Sequence, residues 1–174
     1  MNMKLPCKGC TGCAACSNVC PKDAISMKLD ENGFYKPVVD SELCVECGLC
    51  EKKCPVNNPE YENSDKPVTF AYGAEDEVRA RSSSGGVFEE LAKYVLDNNG
   101  VVCGVAYKDD FTTQHIMIEN ADELYKLRGS KYVMSDVGNI YRQVKEQLIN
   151  NRRVLFTGVP CQVAGLNAYL GEHK

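Results

Sequence analysis

Apolar positions along this chain follow two regimes. From Pro67 onward they alternate between β-branched runs and helical spacing. Val68 to Tyr72 suits a strand, and Gly86 to Asp97 suits a helix with Val87, Leu91 and Val95 on one face and Gly100 beyond its end. Val101 to Tyr107 is a strand-like apolar run, followed by an Asp109-Asp110 turn and a second strand over Thr112 to Glu119. The helical period returns over Val137 to Ile149 through Ile140, Tyr141, Val144 and Leu148. Val154 to Phe156 reads as a buried strand, and Pro160 opens a last helix carrying Val163, Leu166 and Leu170. The front of the chain holds only two short strand-like stretches, Ala24 to Lys28 and Phe34 to Val39, joined by the turn residues Asp30-Glu31-Asn32-Gly33. Between the regimes, Asn57 to Lys66 crowds Asn, Pro, Glu, Ser and Asp without apolar period and reads as a linker. The predicted class is α+β. A small front domain over 1–58 leads through a linker at 59–66 to a mixed α/β domain over 67–174.

Cysteine usage changes the picture of the front domain. Nine of the eleven cysteines lie in the first 54 residues. A disulfide framework needs an oxidising compartment, but Met1 to Pro6 shows no export signal and no apolar run reaches membrane-spanning length. The expectation is a cytoplasmic chain without a membrane span, whose cysteines bind metal. A net charge of −4, with Lys and Arg scattered among Asp and Glu, argues against a nucleic-acid partner.

The spacing then names the metal centre. Cys10, Cys13, Cys16 and Cys20, followed by Pro21, repeat as Cys44, Cys47, Cys50 and Cys54, followed by Pro55. This is the bacterial ferredoxin run, in which the fourth cysteine of each run ligates the other cluster. Three thiolates on a tight loop hold three irons of a cube, and the fourth corner points away. Cluster 1 is therefore expected to take Cys10, Cys13, Cys16 and Cys54, and cluster 2 Cys44, Cys47, Cys50 and Cys20. Each Cys-Pro pair is expected to open a helix. A pair of zinc sites is the competing reading, but zinc asks for neither the third cysteine nor the Cys-Pro. Cys7 is left over and reads as a free thiol.

Two loops of the second domain look chemical. Ser82-Ser83-Ser84-Gly85-Gly86, after Arg81 and before a helix, offers hydroxyls and backbone N–H groups to a phosphate. The same string also serves as an ordinary helix entry. Thr157 to Gln162 is a strand-to-helix turn that sets Cys161 near a helix start, where a thiol suits redox chemistry or ligation as well as plain packing. Cys103, inside an apolar strand, reads as inert core.

Four strings carry a family resemblance: Ser82 to Phe88, Gly100 to Tyr107, Arg128 to Val133 and Phe156 to Leu166. In order and spacing, the chain from about Val68 to its end resembles the beta subunit of coenzyme F420 hydrogenases and dehydrogenases, and a ferredoxin-like dicluster front matches many of its members. The resemblance implies an oxidoreductase subunit that passes electrons between two [4Fe-4S] clusters and a flavin, FAD or another, which exchanges hydride with F420 or another acceptor. It also implies a redox partner protein. By the same analogy Ser82, Ser83, Ser84, Gly85 and Gly86 hold flavin phosphate, and Lys131 contacts flavin or substrate. Relatives continue through a larger C-terminal region, so the chain reads as truncated at its C-terminus. A cluster-only electron carrier docking to a partner enzyme and a zinc-held interaction module are the alternatives.

Overall fold

The computed structural model describes residues 5–59 and 75–171. In the front part, each cysteine loop winds into one short helix, α1 (Ala15–Val19) after the first triplet begins and α2 (Leu49–Lys52) after the second. The two loops share a backbone signature. Gly12 and Glu46 before the second cysteine, and Ala14 and Gly48 after it, all take positive φ. The Cys-Pro pairs follow these helices instead of opening them, which corrects the sequence expectation. Proline drives the residue before it into extended backbone, as at Cys20 (φ −67°, ψ 116°), so each pair stops a helix. Strands β1 (Ile25–Leu29) and β2 (Tyr35–Val39) pair antiparallel, with Ile25 opposite Val39. The Asp30 carboxylate accepts from the N–H groups of Asn32 and Phe34, and Gly33 takes φ +78°, which fixes the turn between them.

The second part contains α3 (Asp76–Ala80), α4 (Val87–Asp97), β3 (Val101–Tyr107), β4 (Thr113–Ile118), α5 (Leu124–Leu127), α6 (Ile140–Ile149), β5 (Val154–Phe156) and α7 (Pro160–Leu170). The sheet order is β4-β3-β5, with β4 antiparallel and β5 parallel to the central β3. The period of two along β3 separates two cores: Val102 and Ala106 pack with Ala92 of α4 and Leu124 and Leu127 of α5, whereas Cys103 packs with Ile140, Tyr141 and Val144 of α6. The expected strand over Val68 to Tyr72 lies outside the described residues, as does all of the linker except Pro59.

Three details differ from the sequence pattern. Helix α4 buries Ala92 and packs Phe88, Val95 and Leu96 on the core, while Val87 and Leu91 are exposed. Its inner face also carries Glu89, a charge that hides the stripe from a hydrophobicity reading. Helix α6 starts at Ile140 rather than Val137, because Gly138 takes φ +52° and its N–H is held by the Asp136 carboxylate. Strand β5 is half-buried, and Val163 of α7 is exposed.

The two parts pack against each other through α1. Ala14 and Met27 share one apolar cluster with Tyr141, Val144 and Leu166. The Arg142 guanidinium donates to the carbonyls of Ser17, Asn18 and Cys20, the last turn of α1 and its exit, and pairs with Asp23 at 2.6 Å. A cation at a helix C-terminus satisfies carbonyls that have no partner within the helix. The fully buried Tyr141 hydroxyl lies 2.8 Å from the carbonyl oxygens of both Cys13 and Gln162, bridging the first cysteine loop to α7. Burial holds this phenol above its ordinary value, so it keeps its proton. Gly165 of α7 completes the contact: a Cβ there would lie 3.1 Å from Cys13 Cβ and from the Tyr141 hydroxyl.

Candidate metal centres and a cofactor cleft

Two cavities lie in the front part, and each is lined by cysteines of both runs. One is walled by Cys20, Ile25, Cys44, Cys47, Leu49 and Cys50. The other is walled by Cys7, Cys10, Cys13, Cys16 and Cys54, with Met27 among its apolar lining. The crossing arises because α1 and α2 each carry the chain away from its own triplet, delivering Cys20 and Cys54 to the opposite loop. Donor chemistry suits an iron-sulfur cube, with thiols spread around an apolar cavity. Among the described residues, no three His, Cys, Asp or Glu side chains converge on one point as a single ion would require. Burial pushes the Cys16 thiol up to about 12 and raises Cys13 and Cys50, so these groups ionise only against the charge of a bound cation. Backbone N–H groups of Ala24 and Glu46 point at Cys20 and Cys44 sulfurs, at 3.3 and 3.4 Å.

The cavities differ in exposure. Cys13, Cys16 and Cys54 are buried in the first-run cavity, which backs onto α6 and α7. In the second-run cavity Cys47 is exposed, and Leu43, Val45 and Leu49 stand on the surface beside it.

A third site assembles in the second part. The loop Ser82 to Gly86 and the start of α4 line a cleft of about 380 Å³ together with Leu127, Arg128, Gly129, Ser130 and Thr157. Segments of three distant strings thus meet at one helix N-terminus. The fourth contributes Gly104 of β3, where a Cβ would lie 2.9 Å from Thr157 Oγ1 and 3.3 Å from Leu127. Gly86 caps α4 at φ +87°, a conformation that glycine adopts without strain. Glu89 would repel an anion here, but Arg81 (2.6 Å), Arg128 (2.9 Å) and Lys93 (3.3 Å) surround its buried carboxylate. Hydrogen bonding from Arg81 foremost holds Glu89 down at about 2. Of these cations Arg128 lines the cleft itself, where a positive group beside a helix N-terminus favours phosphate. The Ser82 hydroxyl is turned back to the Val78 carbonyl at 2.6 Å and the Thr157 hydroxyl to the Cys103 carbonyl at 3.0 Å, so Ser83, Ser84 and Ser130 supply the remaining hydroxyls of the cleft wall.

Comparison with known proteins matches each part of the chain to a family model. Residues 9–58 match the 4Fe-4S dicluster domain, and residues 68–142 match the N-terminal domain of the coenzyme F420 hydrogenase/dehydrogenase beta subunit. Residues 68–142 are thus similar to the N-terminal domain of coenzyme F420 hydrogenase/dehydrogenase beta subunits, and the front part to dicluster ferredoxin domains. The chain's relatives include one component of the F(420)H(2) dehydrogenase of Methanosarcina mazei, 28% identical over 162 residues (88% of this chain, 46% of the relative), and the coenzyme F420-dependent sulfite reductase of Methanocaldococcus jannaschii, 26% identical over 161 residues (90% and 24%). The front part is also similar to one component of the anaerobic dimethyl sulfoxide reductase of Escherichia coli, 33% identical over 76 residues (44% and 35%). The chain spans less than half the length of these relatives.

The remaining predicted residues fall in different places. Lys131 does not line the Ser-Gly cleft. Its ammonium donates to the carbonyls of Lys126 and Arg128, lies 5.9 Å from the Tyr107 ring, and faces a neighbouring open cleft that shares Arg128. Cys161 stands outside the lining of the first-run cavity, yet its sulfur is 3.9 Å from the Thr11 carbonyl of that loop. Cys103 is fully buried, its thiol raised to about 12 by burial alone, as inert core requires. Sequence reasoning had Arg81 beside the first chemical loop and Thr157 in the second, but missed that Glu89 and Arg128 join Thr157 in the wall of one cleft. The only local signal was an i,i+4 Glu-Lys pair at 89 and 93 on a core-facing helix. Behind the cleft, Gln162 accepts from the Val159 N–H and donates to Ser135, whose hydroxyl lies 3.2 Å from His115 Nδ1. This buried series of hydrogen bonds holds the Thr157 to Cys161 turn in place. No described helix is long and apolar enough to cross a membrane.

Proposed function

We propose that this chain is the electron-relay part of an iron-sulfur and flavin-dependent oxidoreductase of the cytoplasm. Cys10, Cys13, Cys16 and Cys54 hold cluster 1, and Cys44, Cys47, Cys50 and Cys20 hold cluster 2, each a [4Fe-4S] centre. The Ser82 to Gly86 loop holds the phosphate of a flavin, FAD or another. Clusters carry single electrons and a flavin accepts or gives hydride, which joins the relay to F420 or another two-electron acceptor. The observation that carries this reading is the Thr157 to Cys161 turn. Thr157 lines the cleft, and Cys161, four residues on and so at most about 14 Å away along the backbone, touches the cluster 1 loop at Thr11. Tyr141 and Gly165 clamp the same loop onto α7. The exposed edge at Cys47, with Leu43, Val45 and Leu49, supports cluster 2 as the face presented to a redox partner protein.

Gly85 supplies a clean test, because no atom of the described residues lies within 4 Å of a Cβ placed there and its φ is not positive. Gly85→Val in the full-length protein, purified anaerobically, should lose flavin while keeping its iron. Equal flavin in both proteins would remove the loop from the site. Absence of flavin from both, with iron retained, would favour a plain electron carrier.

A further inference from the structure

Five thiols, not four, surround the first-run cavity, while a cube has four iron corners. The fifth is Cys7, which is 8% exposed and lies with its sulfur 3.6 Å from that of Cys54. Its approach repeats the ligand-loop geometry: Cys7-Lys8-Gly9-Cys10 turns through Gly9 at φ +80°, as Cys10-Thr11-Gly12-Cys13 turns through Gly12 at φ +72°. The Cys10 N–H donates to the Cys7 carbonyl at 3.0 Å and closes that turn, folding Cys7 back over the cavity. The second-run cavity has no such neighbour among the described residues: Cys20, Cys44, Cys47 and Cys50 are the cysteines in its wall. Cys54 is also the one ligand of cluster 1 that arrives from the distant run, so its position depends on the seating of α2, whereas only two residues, Lys8 and Gly9, separate Cys7 from the triplet.

From this geometry we infer that Cys7 is a substitute ligand for the fourth corner of cluster 1, able to take the place of Cys54. This deepens the relay reading and rests on the ligand assignment made there. The exchange is balanced without any oxidant. The iron bond to the Cys54 thiolate breaks and Cys54 takes up a proton, while Cys7 gives up its proton and forms the new iron-sulfur bond. The iron oxidation state does not change. The consequence is that the buried cluster is insured against movement of α2, and the exposed one is not.

The experiment compares iron per chain, and the paramagnetic resonance of the reduced centres, in anaerobically purified proteins carrying Cys7→Ala, Cys54→Ala, both together, or Cys20→Ala. Cys7→Ala and Cys54→Ala should each keep nearly native iron, and the double substitution should fall to half. Cys20→Ala, with no spare thiol in its cavity, should fall to half by itself. Loss of half the iron from Cys54→Ala alone would overturn the proposal, as would the same loss from Cys7→Ala, which would make Cys7 the resident ligand. Should the alanine variant fail to fold, the nearly isosteric Cys54→Ser, with and without Cys7→Ala, repeats the comparison on the same criteria. An unsubstituted protein with less iron than two clusters need would instead refute the relay reading itself.

Discussion

At the scale of single residues, the sites are governed by who stands next to whom across the chain. The cysteine crossing is the clearest case. Because Cys20 lines the cavity of the second run, Cys20→Ser should damage the centre held by Cys44, Cys47 and Cys50 and spare the one held by its own run. Resonance spectra showing loss confined to the Cys10 centre would contradict the assignment. Glu89 is the second case. Its carboxylate is 1% exposed and bound by three cations, so Glu89→Gln should destabilise the fold by about 2 kcal/mol through weakened charged hydrogen bonds. The pH dependence follows from a lowered pKa. The stabilisation is full above the ordinary glutamate value of about 4.3 and is lost as pH falls toward about 2. Urea midpoints of the two proteins should therefore differ most near neutrality and converge in acid.

Among the elements, α1 is the piece through which the front part is fastened. Five residues form too short a helix to persist alone, and its exit carbonyls are bound by Arg142 of α6. Replacing Arg142 by Met keeps the aliphatic stem and removes the donors. The expected loss is about 2 kcal/mol, in the range for hydrogen bonds to a charged group. The measurement is the denaturant midpoint, and an unchanged midpoint would mean that apolar packing alone seats α1. At α4, Val87 and Leu91 of the expected stripe face away from the core, and only Val95 of the three packs on it. The helix buries a carboxylate, and its own Lys93 together with the arginines contributed by the loops before it and after α5 make that burial tolerable.

For the whole molecule, the decisive feature is an asymmetry between two repeated halves. Spacing makes the cysteine runs equivalent, but packing on α6 and α7 covers only the first. An external iron chelator should therefore strip cluster 2 before cluster 1, since Cys47 is exposed while Cys13, Cys16 and Cys54 are buried. Resonance spectra recorded during chelation should show one signal vanishing first. That signal should be the one that Cys20→Ser abolishes. Equal decay of both would mean that exposure in the folded protein does not control access to the irons.

Cysteine spacing, the alternation of strand and helix, the turn at Asp30 to Gly33 and the helix entry at Gly86 could all be read from the chain alone. Each depends on residues a few positions apart, where backbone geometry and periodicity operate directly. The fate of the Cys-Pro pairs, the buried face of α4, the place of Cys7 beside Cys54 and the reach of the Thr157 to Cys161 turn could not be read that way. Those depend on contacts across tens of residues: Tyr141 on Cys13, Arg142 on the end of α1, Arg128 on Glu89 and Gly165 against the first cysteine loop. Local spacing decides which chemistry the sequence is equipped for. Burial of apolar surface and pairing of buried polar groups, which act without regard to distance in sequence, decide where that chemistry is placed.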